Sequence, residues 1–99
     1  MEKIEKEGLP VRYSLLPPDR RRRIRDKYVR IQGGLCWFCG WDLNAPPPPE
    51  ILNKPVDFSL YPIGFFNNPI HLQHDHNSDF TEGAVHCRCN AVLWEYHKR

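Results

Sequence analysis

His71-Leu72-Gln73-His74-Asp75-His76, followed by Asn77-Ser78-Asp79-Phe80 and then Thr81-Glu82-Gly83-Ala84-Val85-His86-Cys87-Arg88-Cys89-Asn90, decides the fold. His71 to His76 reads as a strand, Asn77-Ser78-Asp79 as a turn, and Thr81 to His86 as the returning strand. Asn90 is a residue type that caps helices, so a final helix is expected over residues 91–97. Leu93, Trp94 and Tyr96 would then pack on the hairpin.

The hairpin ends beside Cys87 and Cys89, and upstream lies Cys36-Trp37-Phe38-Cys39-Gly40. Zinc takes four soft or borderline donors in a tetrahedron, usually as two close pairs, and Cys36 with Cys39 is a good first pair. Two second pairs are open: Cys87 with Cys89, or His86 with Cys89. The His86–Cys89 gap repeats the spacing of the first pair. On that spacing His86 is favoured, and Cys87 reads as a small buried hydrophobe.

Working outward, the chain has 99 residues, enough for one domain with a small core. A core of that size gains from a metal or disulfide staple. No apolar run approaches a membrane span, and the charged start Met1-Glu2-Lys3 has no apolar leader. A cytoplasmic location is expected, where thiols stay reduced and zinc is favoured over disulfides. Residues 1–16 show no clear period and read as a loosely attached arm. Pro17-Pro18-Asp19 starts a helix, and Gly33-Gly34 stops it. Within it Ile24, Tyr28 and Ile31, continued by Leu35, mark one apolar face. Asn44 to Glu50 is a Pro-rich extended spacer, and residues 51–70 read as an ordered loop with little regular structure.

Net charge is only +2, yet half of the Lys and Arg residues crowd into residues 20–30. Arg20, Arg21, Arg22, Arg23, Arg25, Lys27 and Arg30 form the footprint of a polyanion partner. Contact with a phosphate backbone would be independent of sequence and sensitive to salt.

The stretch His71 to Asn90, with Cys36 and Cys39 upstream, resembles the HNH (ββα-metal, His-Me finger) endonucleases. It is closest to the zinc-containing branch of recombination endonuclease VII and phage HNH enzymes. The resemblance covers about residues 20–45 and 69–97. It implies an α+β fold: a small zinc-stapled ββα-metal domain over residues 17–99. The parts would be a basic helix at 17–33, zinc half-knuckles at 36–39 and 86–89, and a hairpin-helix unit at 70–97.

It further implies a hydrolase that nicks or cleaves duplex DNA. His74 would be the general base, and Asn90 would hold a catalytic Mg²⁺ or Mn²⁺. Gln73 stands where the family has Asp or His as the other direct ligand. Cys36, Cys39 and Cys89 match structural zinc ligands, and His86 stands in place of a cysteine. The residue types suit this chemistry in their own right: an imidazole can take a water's proton near neutral pH, and hard cations accept oxygen from Asn90, Gln73 or Asp75. His76 would orient the base or touch a phosphate, whereas His71 and His97 read as structural and solvated. One hairpin attacks one strand, so a monomer would nick and a homodimer could cut both strands. The rival readings are a non-catalytic zinc-ribbon DNA-binding module and a nuclease selective for branched DNA or RNA.

Overall fold

The computed structural model describes residues 8–98. Its centre is the expected hairpin, β1 (Ile70–His74) and β2 (Thr81–His86), paired antiparallel. His71 faces Val85 and Gln73 faces Gly83, but His74 pairs with Thr81, so Glu82 is an extra residue on β2. Such a bulge bends the strand and re-aims the side chains beside it. β1 ends at His74, two residues earlier than expected. Asp75 starts the turn: its carboxylate accepts from the Asn77 amide at 2.8 Å, and its carbonyl accepts from the Asp79 amide at 2.7 Å. Asp79, with φ +70°, closes it.

The basic helix α1 (Pro18–Ile31) begins where the prolines place it. Gln32 follows, and the positive φ of Gly33 and Gly34 turns the chain away. Ile24 and Tyr28 are buried against the hairpin. Leu35 lies beyond the helix and is largely exposed, because the glycine turn interrupts the apolar row before it reaches that residue. The Tyr28 hydroxyl shares a hydrogen bond of 2.8 Å with Thr81 on β2. Gln32 extends the docking: its Oε1 accepts the Ala84 amide at 2.8 Å and its Nε2 donates to the Ala84 carbonyl at 2.9 Å.

The knuckle is fastened to the same strand, since the Trp37 amide donates to the Ala84 carbonyl at 2.9 Å. Gly83 permits this approach. A Cβ there would lie 2.6 Å from Trp37 Cγ and 2.7 Å from Trp37 Cβ. With α1 and the knuckle packed around it, β2 buries Ala84 and Val85 completely.

The last helix, α3 (Cys87–His97), starts four residues before the expected 91, and Asn90 sits in its first turn rather than at its cap. The Cys87 amide donates to the Pro69 carbonyl at 2.9 Å, satisfying one of the donors a helix start leaves open. Leu93 is buried as expected. Tyr96 packs on the loop instead of the hairpin, its hydroxyl donating to the Pro55 carbonyl at 2.6 Å.

The Pro-rich spacer stays extended through Pro48, and Pro49 opens a single turn, α2 (Pro49–Leu52), whose Ile51 joins the core. Residues 53–69 carry only a short 3₁₀ turn and are held by aromatic contacts among Phe58, Tyr61, Phe65 and Phe66. Tyr61 ties them to α3 through Glu95, at 2.9 Å. Among the described residues, no helix is long and apolar enough to cross a membrane.

The expectation of a loosely attached arm over residues 1–16 falls partly outside the described residues. Where they are described, it does not hold. Leu9 and Leu16 are buried in the core. The Thr81 amide donates to the Val11 carbonyl at 2.9 Å, the Tyr13 amide donates to the Asp79 carbonyl at 2.8 Å, and Arg12 bridges Phe80. Residues 11–13 therefore run along the hairpin's free edge. The segment is too short to show a period, which is why its sequence reads as an arm.

Candidate metal centre and adjoining cleft

Two assemblies of side chains flank the hairpin. At the β2 end, Cys36, Cys39, His86 and Cys89 form a Cys₃His group positioned to bind a metal ion. Their ligand atoms all lie within 4.8 Å of one another. His86 Nδ1 is 3.4 Å from Cys39 Sγ and 3.6 Å from Cys89 Sγ. A tetrahedral zinc with Zn–S of about 2.3 Å and Zn–N of about 2.05 Å has N···S edges of roughly 3.5 Å, so the spacing fits that ion.

The rest of the imidazole is already committed. Nε2 lies 2.9 Å from the Asp42 carbonyl and 2.8 Å from the Ala45 carbonyl. Only a protonated Nε2 can donate to these acceptors, which leaves the lone pair on Nδ1 aimed at the thiols. Outer partners of this kind fix the tautomer of ligating histidines.

The knuckle turn assists the first pair. The Phe38 and Cys39 amides point at Cys36 Sγ from 3.4 and 3.5 Å. A hydrogen bond from the Cys89 thiol, helped by these amides and opposed by burial, pulls the Cys36 thiol down to about 4. The same Cys36–Cys89 contact, then burial, pushes the Cys89 thiol up, and burial leads in raising Cys39. Without a cation these crowded sulfurs cannot all carry charge. A divalent ion removes the conflict by taking them as thiolates. Cys87 points elsewhere, with Sγ 4.0 Å from the Phe66 carbonyl, and none of the four cysteines forms a disulfide. Of the two pairs open in the sequence, the structure brings His86 and Cys89 together with the knuckle. The group suits structural zinc.

Along β1 lies a cleft of about 510 Å³. Arg21, Arg22 and Arg25 of α1 form one side, Ile63 and Phe65 of the loop another, and His71, Leu72 and Asn90 line it as well. A second hollow adjoins it through Tyr13, Phe65, Leu72 and Asn90, and adds His74, His76 and Trp94. Among the described residues, no carboxylate lines either one. Asn90 Nδ2 is 3.0 Å from His71 Nδ1, so His71 lies beside Asn90 rather than in a purely structural place. Arg21 Nε is buried and has no hydrogen-bond partner among the described residues.

His74 is in a row of rings. Tyr13 stacks on it at 3.8 Å with planes 6° apart, His76 follows at 4.4 Å, and Trp94 packs on His76 at 4.8 Å. The Arg21 guanidinium covers Tyr13 at 4.6 Å. Burial, and secondarily the charge of His76, lowers the His74 pKa from the ordinary 6.5, so the ring is neutral at pH 7. No hydrogen bond engages its ring nitrogens among the described residues.

Other expected site residues are elsewhere. Gln73 turns into the core next to the bulge residue Glu82. Gln73 is 1% exposed, and its Nε2 donates to the His74 carbonyl at 2.8 Å and to Glu82 Oε1 at 3.3 Å. It does not line the cleft, and its expected place as a cation ligand is not what the structure gives it. Asp75 serves the turn. Arg20, Arg23, Lys27 and Arg30 do not line the cleft, and Arg23 pairs with Asp19 at 3.6 Å. His97, exposed at the helix end, meets the edge of Phe38.

Sequence reasoning missed Tyr13 entirely, and it missed Phe65, which packs edge-on against His71 at 4.6 Å. Both lie in stretches without periodicity, and no local signal marks them.

His71 Nδ1 accepts from the Asn90 N–H, so at the cleft Asn90 leaves a neutral side-chain carbonyl, a poor fit to Mg²⁺ or Mn²⁺, which favour charged oxygen. No protein-family model, curated protein or solved structure matches the chain.

Proposed function

We propose that this protein is a zinc-stapled HNH-type endonuclease that hydrolyses a phosphodiester bond in duplex DNA, with His74 as the general base. One observation carries the reading. Arg21, Arg22 and Arg25 share a cleft with His71 and Asn90 that no carboxylate lines among the described residues, and that cleft runs on to His74.

Each part has a task. The three guanidiniums receive the phosphate and offset its charge, and the unpartnered Arg21 Nε gains an acceptor there. His74, neutral at working pH, takes the proton from water as the water oxygen bonds to phosphorus, the P–O bond to the leaving sugar oxygen breaks, and that oxygen takes a proton from solvent. Asn90, held by the hydrogen bond its amide N–H gives to His71 Nδ1, offers its second N–H to another phosphate oxygen or a water. A divalent cation, when bound, would relieve charge on the phosphate and the leaving oxygen. No step above depends on it. The zinc end takes no part in the chemistry; it fixes the hairpin to α3, whose Asn90 lies beside His71.

A second reading, a zinc-stapled module that binds DNA without cutting it, is favoured by the withdrawal of Gln73 from the cleft. Supercoiled plasmid separates the two. Incubation with the zinc-loaded chain, with Mn²⁺ or Mg²⁺, should yield relaxed circles. A retarded band without relaxation would support the binding module and contradict the enzyme. Branched DNA and RNA run alongside test the substrate class.

A further inference from the structure

The segment that precedes the basic helix has a use that neither the metal centre nor the arginine wall supplies. Val11 to Tyr13 pairs along the free edge of the hairpin, and this brings the Tyr13 ring onto His74. We propose that Tyr13 is a positioning residue for the reaction, stacked on the imidazole of His74 so that the ring is held with its nitrogens facing the cleft. The proposal rests on His74 being the general base.

The geometry is that of a clamp. The Tyr13 and His74 rings are nearly parallel, 6° apart, at 3.8 Å. Tyr13 cannot drift, because its amide is bonded to the Asp79 carbonyl and Arg21 lies over its ring at 4.6 Å. The next residue is tied as well: the Ser14 amide donates to both oxygens of the Asp79 carboxylate at 3.2 Å, and its hydroxyl donates to Oδ2. On its remaining side His74 meets His76, which rests on Trp94.

A histidine whose tautomer and direction are set by a hydrogen bond to one nitrogen needs no such clamp. His74 has no hydrogen bond at either ring nitrogen among the described residues, so ring contacts alone fix its direction. A base must keep hydrogen-bond distance and direction to the water it deprotonates, and small misplacements are costly.

The test compares Tyr13→Phe and Tyr13→Ala in the zinc-loaded full chain. Phe keeps the ring and loses the hydroxyl. In wild type the imidazole protons of His74 should show an upfield ring-current shift. Phe should preserve that shift, whereas Ala should abolish it while the rest of the NMR spectrum stays dispersed. In plasmid nicking, Phe should match wild type. Ala should lower kcat on the order of 10- to 100-fold with KM for DNA unchanged. Unchanged kcat in Tyr13→Ala would overturn the proposal. So would a change confined to KM, which would make Tyr13 a DNA contact, or a Phe variant as defective as Ala. If wild type does not nick at all, the nuclease reading fails on that result. The ring-current shift still decides whether Tyr13 holds the imidazole: its persistence in the Ala variant overturns the clamp.

Discussion

His86 and His74 stand at the two ends of one short hairpin, and the molecule treats them in opposite ways. His86 is buried, gives its Nε2–H to the Asp42 and Ala45 carbonyls, and turns Nδ1 to three cysteines. His74 is gripped by its ring faces, and among the described residues no hydrogen bond engages either nitrogen. The first arrangement suits a ligand that must never change state. The second suits a group that must gain and lose a proton. Residue type does not separate the two roles. What bonds the nitrogens does.

The largest effect should come from attacking the metal end. His86→Ala should lose the zinc and unfold the hairpin, because binding at such sites is worth about 10 kcal/mol and is coupled to folding. Cys87→Ser should keep one zinc per chain. Metal analysis and circular dichroism of the two variants check this, and the reverse pattern would transfer the ligand role to Cys87.

Gly83→Ala tests how tightly the knuckle is pressed to β2. The added Cβ would meet Trp37, so the variant should lose about 1–3 kcal/mol, read as a lowered Tm with zinc still bound. An unchanged Tm would mean that the knuckle sits farther from the strand.

At the cleft end, changing Arg21, Arg22 and Arg25 to Gln should reduce the salt slope of log K for DNA by about 0.9 for each phosphate no longer neutralised. Arg20→Gln with Arg23→Gln should change it less, since those residues do not line the cleft. Equal effects from the two sets would mean that the whole helix acts as a diffuse positive patch.

The smallest effect sharpens the comparison through pH. The His74 pKa is lowered in the fold, first by burial and then by His76 and Arg21, against Asp79 and Asp75. A base works unprotonated, so the acidic limb of nicking should have its midpoint below 6.5, the ordinary histidine value. Burial likewise lowers the pKa of His71, so the unfolded chain takes up these protons at higher pH than the fold does. Stability from both rings is therefore retained above about 6.5 and falls as pH drops through their folded values. A limb centred above 6.5 would place a different group in the role of base.

Much of this was legible in the chain. The pairing of Thr81–His86 with the strand before it, the α1 boundaries and the choice of His86 over Cys87 follow from periodicity, proline and glycine signals, and ligand spacing. The withdrawal of Gln73 was not legible. Its amide is taken up by the His74 carbonyl and by Glu82, the bulge residue, and neither the bulge nor that pairing has a signal in the local sequence. Nor was Tyr13. Its place depends on edge pairing between residues 11–13 and 79–81, a long-range contact with no local periodicity. The early start of α3 came from the Pro69 carbonyl, which takes up an amide that would otherwise need a cap.

The division of labour between the two histidines is tested most directly by His74→Ala on supercoiled plasmid, at zinc content and Tm matched to wild type. Wild type should relax the plasmid, and the variant should be slower by on the order of 100- to 10,000-fold while binding DNA with unchanged affinity. A variant that nicks at the wild-type rate would contradict that division.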